Sequence, residues 1–382
     1  MPTTDPPTKL RVMIVGGGVA ALETALALHE LAPERLATTV IAPAAEFVYR
    51  PMTVREPFAY PPAHRYPLAP IVRDAGAELL ADSLEWIEPT KQLLHTTAGA
   101  QLEYDALMLA LGARVQPLYE HALTIDDRRM DETMHGLIQD VEGGYVKSLA
   151  FVAPPRLPWQ LPLYELALMT AARAYDMDIE LAVTIVTPEA TPLAIFGATA
   201  SNAVSERLQR AGIATINSAY AEVPSVGEVV INPGDRRVHV ERVVALPELY
   251  GPPVRGIPLG EHGFIHVDPY GQVSGAGPIY AAGDAIDFAV KQGGLASQQA
   301  DAAAQSIAAL AGAPLTPEPF QPVIRGMLLT GGEPLYITAH LTGGHGFSSE
   351  LTDAPTWSPP SKIAAKYLAP YLEGLDRAGS GV

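Results

Sequence analysis

The chain contains no cysteine. That single absence removes disulfides, Cys-ligated zinc, iron–sulfur clusters, thiolate nucleophiles and redox-active dithiols. Charged residues are also sparse, at 18 %, and the sign is unbalanced: 25 Lys and Arg against 42 Asp and Glu give a net charge of −17. No basic cluster offers phosphate neutralisation, so nucleic acid is not an expected partner. The same charge opposes binding to an anionic membrane surface. Long hydrophobic runs are missing too: none reaches the 18 or so residues of a membrane span. Met1–Leu10 holds Asp5 and three prolines, not the basic-then-apolar order of a secretory signal. The expected location is the cytoplasm.

What is present suits a large folded protein. Hydrophobic residues make up 48 % of 382 residues, enough for two or three domains. The 33 glycines and 36 prolines are scattered without a period, which predicts many tight loops.

The N-terminal region reads as strand, glycine turn, helix, strand. Arg11–Val15 is an unbroken run ending in apolar residues, Gly16-Gly17-Gly18 follows, and Val19–Leu31 has helical composition up to Pro33. Thr38–Ala42 is a second buried strand, which completes a βαβ unit and implies a parallel sheet. Arg50–Pro70, rich in Pro and aromatics, reads as irregular. Short strands are expected near Ala77–Ala81 and Lys91–Thr96, and a buried one over Tyr104–Leu111 ends at Gly112. A second unit begins at Ser148–Ala153, with a helix over Leu163–Ala174, a strand over Ile179–Val186 and a helix over Ala200–Ala211. Arg242–Leu246 and Pro278–Ala282 are returning strands, and an Ala-rich helix covers Ala296–Ala311. Residues 312–322 form a linker. Arg325–Thr330 and Pro334–His340 read as strands, and Ser361–Glu373 as a terminal helix.

Two motifs carry chemistry. In Gly16-x-Gly18-x-x-Ala21, Gly16 allows a tight turn and Gly18 leaves room for a diphosphate. Ala21 permits close helix–strand packing. The free amides from Val19 and Ala20 onward and the positive helix end attract the anion. The acid that usually ends the second strand and holds an adenosine ribose is missing: Ala42-Pro43 stands there, with Glu46 four residues on as a substitute. The gap weakens NAD as the ligand more than FAD. The other motif is Ile279-Tyr280-Ala281-Ala282-Gly283-Asp284-Ala285. There a buried strand delivers an acid to its C-terminal end, where it can bind the hydroxyls of a polyol or simply cap a helix.

Together, Gly16–Ala21, the segment Tyr104–Ala113 with Gly112, and Ile279–Ala285 resemble the FAD-dependent pyridine nucleotide–disulfide oxidoreductase superfamily. The sequence is most similar to its branch of sulfide:quinone oxidoreductases, flavocytochrome c sulfide dehydrogenase flavin subunits and type II NADH dehydrogenases. The likeness covers most of the chain to about residue 312. It implies an α/β protein with two Rossmann-like three-layer domains, the FAD domain split in sequence, and a small C-terminal α+β domain. The implied boundaries are 1–118 and 246–320 for the FAD domain, 119–245 for the second domain and 321–382 for the last. FAD is the implied cofactor, held by Gly16, Gly18, Val19, Ala20, Ala21, Arg50, Pro51, Gly112, Gly283, Asp284 and Lys291.

The resemblance further places Lys291 near the flavin N1 and C2 carbonyl, where a cation stabilises the charge of the reduced ring, so Lys291 is the candidate catalytic residue. Pro51 and Tyr49 would line the ring, and Arg50 would meet a phosphate or a substrate acid. Phe47–Pro51 as a plain aromatic loop packed on the core is the competing reading.

Departures from the family narrow the function. Sulfide-oxidising members carry sulfur on cysteines, which this chain lacks. The second unit should carry a Gly-rich turn for a nicotinamide nucleotide. Here Val152-Ala153 leads into Pro154-Pro155-Arg156-Leu157-Pro158-Trp159-Gln160-Leu161-Pro162, whose four prolines remove amide donors. Thr187-Pro188-Glu189 retains an acid at the matching strand end. The expected function is transfer of two electrons through FAD from an unspecified donor to a small acceptor such as a quinone. An NAD(P)H dehydrogenase and a non-catalytic FAD-binding scaffold or sensor stand as alternatives. The tail, with Lys362 and Lys366 on a helix broken by Pro370, reads as an internal cap, a homodimer contact or a peripheral membrane anchor. No metal site is expected: His262 and His266 are separated by Gly263-Phe264-Ile265 and followed by Pro269.

Overall fold

A computed structural model describes residues 9–156, 158–342 and 346–379. Most of the polar leader (residues 1–8) and Leu157 of the proline turn lie outside the described residues.

Two five-stranded parallel sheets organise the chain. The first runs, edge to edge, Ile279–Ala281, Ala106–Leu109, Leu10–Val15, Leu36–Ile41, Glu78–Leu80. Ala106–Leu109 is wholly buried, as its unbroken apolar sequence requires of a strand covered on both faces. The edge strand Ile279–Ala281 joins this sheet only after the second sheet has been built, so the first domain is split in sequence. The second sheet runs Leu123–Thr124, Arg242–Ala245, Ser148–Val152, Ala182–Val186, Ala214–Ile216. Leu10–Val15 is flanked by Leu36–Ile41 and Ala106–Leu109, and Ser148–Val152 by Ala182–Val186 and Arg242–Ala245. The fold is therefore α/β with two Rossmann-like units.

The helices Val19–Leu31 and Gly293–Leu310 pack on one face of the first sheet, joined through Ala21, Ala25, Ala300, Ala303 and Ala304. Small side chains on both helices let the backbones approach. Met130–Glu142 and Leu161–Asp176 cover the second sheet. Val323–Leu328, Leu335–Thr342 and Gly346–Thr352 form an antiparallel C-terminal sheet.

Several local expectations are corrected. Arg50–Pro70 is ordered into a 3-10 turn at Arg50–Phe58, a strand at Arg65–Pro67 and the start of a helix, Leu68–Asp74. The terminal helix is not Ser361–Glu373 but Leu368–Gly379. Pro370 lies in its first turn, where a missing amide is harmless, rather than breaking it. Its start is set from another domain: the buried carboxylate of Glu23, on the first helix, accepts hydrogen bonds from the backbone N–H of Lys366 (2.7 Å), Tyr367 (2.9 Å) and Leu368 (2.6 Å). The Asp301 carboxyl, from Gly293–Leu310, lies beside Glu23. Burial, reinforced by the neighbouring Glu23 charge, pushes Asp301 up to about 8. Ser361–Tyr367 is consequently an irregular strap, and Lys362 is not a helix cation.

Candidate functional site

The turn after the first strand is shaped by two glycines with different jobs. Gly16 has φ +133°, and a β-carbon there would stand 2.2 Å from the Ala110 carbonyl oxygen. The turn therefore closes against the end of the neighbouring strand only because Gly16 has no side chain. A β-carbon on Gly18 would meet nothing within 4 Å. That open space lies at the start of Val19–Leu31, whose N-cap, Gly18, supplies no side-chain hydrogen bond. The first amides of a helix have no intrahelical acceptor, so the turn presents donors and a positive dipole end to an anion.

The opening leads into a cavity of about 700 Å³ lined by both sheets' turns and by the C-terminal segment. Gly16, Gly18, Val19, Ala20, Arg50, Pro51, Gly112, Gly283, Asp284 and Lys291 all line it. Ala21 does not; it is fully buried behind the turn, between helix and sheet. Tyr49 also turns away, and its hydroxyl accepts from the Ile363 N–H at 2.8 Å. Glu46 lines the cavity and lies 3.9 Å from Arg65.

Gly283 (φ +76°) brings the turn after Ile279–Ala281 against the first helix: a β-carbon there would be 3.3 Å from Ala20 Cβ. Its N–H donates to Gln299 Oε1 at 2.9 Å. Burial raises the Asp284 carboxyl above the usual range, opposed by the charge of Lys291. Lys291 is 7 % exposed. Its ammonium donates to the Ile286 carbonyl and sits 4.0 Å from the Phe264 ring centroid. Burial pulls Lys291 down to about 8, with Asp284 and Asp287 opposing. Asp127, also on the wall, is raised by burial, with Arg50 opposing.

The residues that sequence reasoning missed come from far apart. Glu165, on Leu161–Asp176, and Lys362, in the strap, form an ion pair on the cavity wall with side chains 1 % and 4 % exposed. Lys362 Nζ lies 2.6 and 2.8 Å from the two carboxylate oxygens and donates to the Pro51 carbonyl at 3.1 Å. Glu165 also accepts from the Leu329 N–H at 2.9 Å. Burial pushes Glu165 up and Lys362 down. Each partner's charge opposes the effect of burial on the other. An available signal was an isolated acid in the apolar stretch Leu161–Met169; nothing local marked Lys362 as its partner.

The second unit's turn is built differently. Trp159 lines the large cavity and packs edge-on against Phe196, with centroids 5.8 Å apart. Arg156 pairs with Glu248 at 3.0 Å and lies over the Tyr250 ring. Glu189, the expected ribose acid, is turned inward. It accepts from Tyr164 Oη at 2.7 Å and from the Ala194 N–H at 3.1 Å, and burial raises it. Among the described residues no group of three or more His, Asp or Glu is arranged to hold a metal ion. His262 sits on a turn with φ +56° against Tyr250. Among the described residues no helix is long and apolar enough to cross a membrane.

Comparison with known proteins agrees with this architecture. The family model described as pyridine nucleotide-disulphide oxidoreductase matches residues 165–306. The sulfide-quinone reductase of Aquifex aeolicus (strain VF5) is 29 % identical over 106 residues, 27 % of this chain and 24 % of that protein, so the match spans less than a quarter of that relative. Among solved structures, the sulfide:quinone oxidoreductase from the hyperthermophilic bacterium Aquifex aeolicus superposes with a TM-score of 0.80 at 18 % identity, covering 97 % of this chain and 90 % of that one. A ferredoxin reductase from Rhodopseudomonas palustris gives 0.67 at 20 % identity, covering 90 % and 88 %. The chain is thus similar to the pyridine nucleotide-disulphide oxidoreductase family over residues 165–306 and shares its overall fold with these solved structures. The open space beside Gly18, and the continuity of that space with Asp284 and Lys291, fit an extended FAD.

Proposed function

We propose that the protein is an FAD-dependent oxidoreductase that delivers two electrons to a small acceptor of the quinone type, without cysteine chemistry and without a nicotinamide donor. The observation that carries this reading is a single cavity joining the anion cradle at Gly16–Ala20 to the buried Glu165–Lys362 pair. Bound FAD supplies two-electron transfer between donor and acceptor.

This chain's residues do the rest. The amides after Gly18 bind the diphosphate. Asp284 would accept hydrogen bonds from the ribityl hydroxyls, and Pro51 and Gly112 shape the cavity wall. Lys291 would supply a cation near the flavin and so favour its reduced state. Reducing a quinone by two electrons consumes two protons; one comes with the electrons from the reduced cofactor, and the Glu165–Lys362 pair would hold the other and release it into the cavity. The prolines at 154, 155, 158 and 162 and the inward Glu189 argue against a nicotinamide donor.

The test is to purify the protein and record its visible spectrum. Donors are then screened anaerobically for flavin bleaching, and a quinone is added. Bleaching by a non-nicotinamide donor, followed by quinone-dependent reoxidation, supports the reading. A colourless protein that takes up no FAD, or a flavin that no quinone reoxidises, overturns it.

A further inference from the structure

The cavity carries five cationic side chains, and four of them are answered. Lys362 is paired with Glu165. Lys291 donates to the Ile286 carbonyl and has Asp284 and Asp287 nearby. The charges of Arg50 and Arg128 fall on Asp127. The fifth is Arg325, on Val323–Leu328 of the C-terminal sheet. Its backbone carbonyl accepts from Gln292 Nε2 at 2.8 Å, which fixes this strand against the start of Gly293–Leu310. Its guanidinium has no carboxylate, carbonyl or aromatic partner among the described residues. It is half-buried, and desolvation is the one influence on it, lowering its pKa. A guanidinium withdrawn from water without an acceptor is costly. Arg325 lines the cavity, and the planar fork of donors it brings there matches a carboxylate or sulfur or phosphorus oxyanion in two-point contact.

We infer that Arg325 recognises an anionic group on the small molecule that enters this cavity, so that the electron donor or acceptor is an acid rather than a neutral compound. This rests on reading the cavity as the electron-transfer site. It adds a substrate class that the cofactor cradle alone does not specify. Met327, two residues on along the same strand, also lines the cavity. The proposed site therefore pairs an anion hook with an apolar wall.

The test uses two redox-inert probes of the same skeleton, 2-naphthoate and 2-naphthylmethanol. Each is titrated into the oxidised holoprotein and followed by calorimetry and by the shift of the visible flavin band. The wild type is expected to bind the acid at least about ten-fold more tightly than the alcohol. Arg325→Gln is expected to collapse that ratio toward one at full flavin content, and Arg325→Lys to retain part of it. Equal binding of both probes to the wild type overturns the proposal, as does a ratio that survives in R325Q. Loss of flavin from R325Q also overturns it, because Arg325 would then hold the cofactor. The binding ratio is read without turnover. A protein that prefers the acid yet passes electrons to no quinone keeps the anion site and loses the functional reading; the reverse result separates them the other way.

Discussion

The two Rossmann-like units share strand order but treat the space above their first strand in opposite ways. In the first unit Gly16–Gly18 closes tightly below and opens above, leaving amides free at a helix start. In the second, Pro154, Pro155 and Pro158 remove amide donors from the corresponding turn, and Trp159 packs edge-on against Phe196. The acid at the end of Ala182–Val186 is spent on Tyr164 and Ala194. Topology therefore does not decide whether such a unit holds a nucleotide. A few residues in the first turn do, through sterics and the supply of N–H groups. The second unit has been turned to another use, supplying Trp159 and Glu165 to the cavity of the first.

This contrast can be broken experimentally. The largest effect is expected from Gly18→Ile, which places a side chain in open space rather than against protein atoms. Flavin affinity should fall by a hundred-fold or more while the circular dichroism spectrum is retained, whereas Pro155→Gly in the second turn should leave flavin content unchanged. Next, Glu165→Leu strands the Lys362 ammonium in a buried site and should cost about 3–5 kcal/mol in chemical denaturation. The double variant Glu165→Leu/Lys362→Met should recover most of that stability but not quinone turnover. Lys291→Met should lower the flavin midpoint potential and slow flavin reduction by roughly ten-fold, the scale of one charge-assisted contact. A smaller effect concerns pH. The folded chain holds a proton on Asp301 that the unfolded chain releases near 3.8. That contribution is complete below 3.8, declines as pH rises and is gone once pH passes about 8. Melting temperature should therefore drop between pH 6 and 9, and Asp301→Asn should flatten the slope. Last, millimolar NADH should leave the flavin spectrum of the wild type unchanged. Rapid bleaching would reopen the second turn as a nucleotide site.

The sequence made the first cradle legible because each element of it is local: a strand, three glycines and a helix in one run. Gly283-Asp284 was legible for the same reason, and the cavity brings it to the same wall as Gly18. The Glu165–Lys362 pair was not, since its partners are 197 residues apart and each looks ordinary in its own segment. Periodicity extends the terminal helix backward over Lys362 and Lys366 and makes both helix cations. The true start is dictated by Glu23, a tertiary contact no window of local sequence contains. Glu189 kept its place at a strand end but not its orientation, because Tyr164 competes for it. Arg325 sat in a short apolar strand, and only the folded arrangement reveals that no acid faces it.

The Glu23 contact has a practical corollary. The acid that starts the last helix resides in the turn of helix that follows the nucleotide-binding glycines. A chain cut before Lys366 would leave that carboxylate beside Asp301 with three donors withdrawn at once. Trimming the tail would then be felt at the opposite end of the polypeptide, as a looser grip on the yellow pigment, even though no removed atom belongs to the glycine loop.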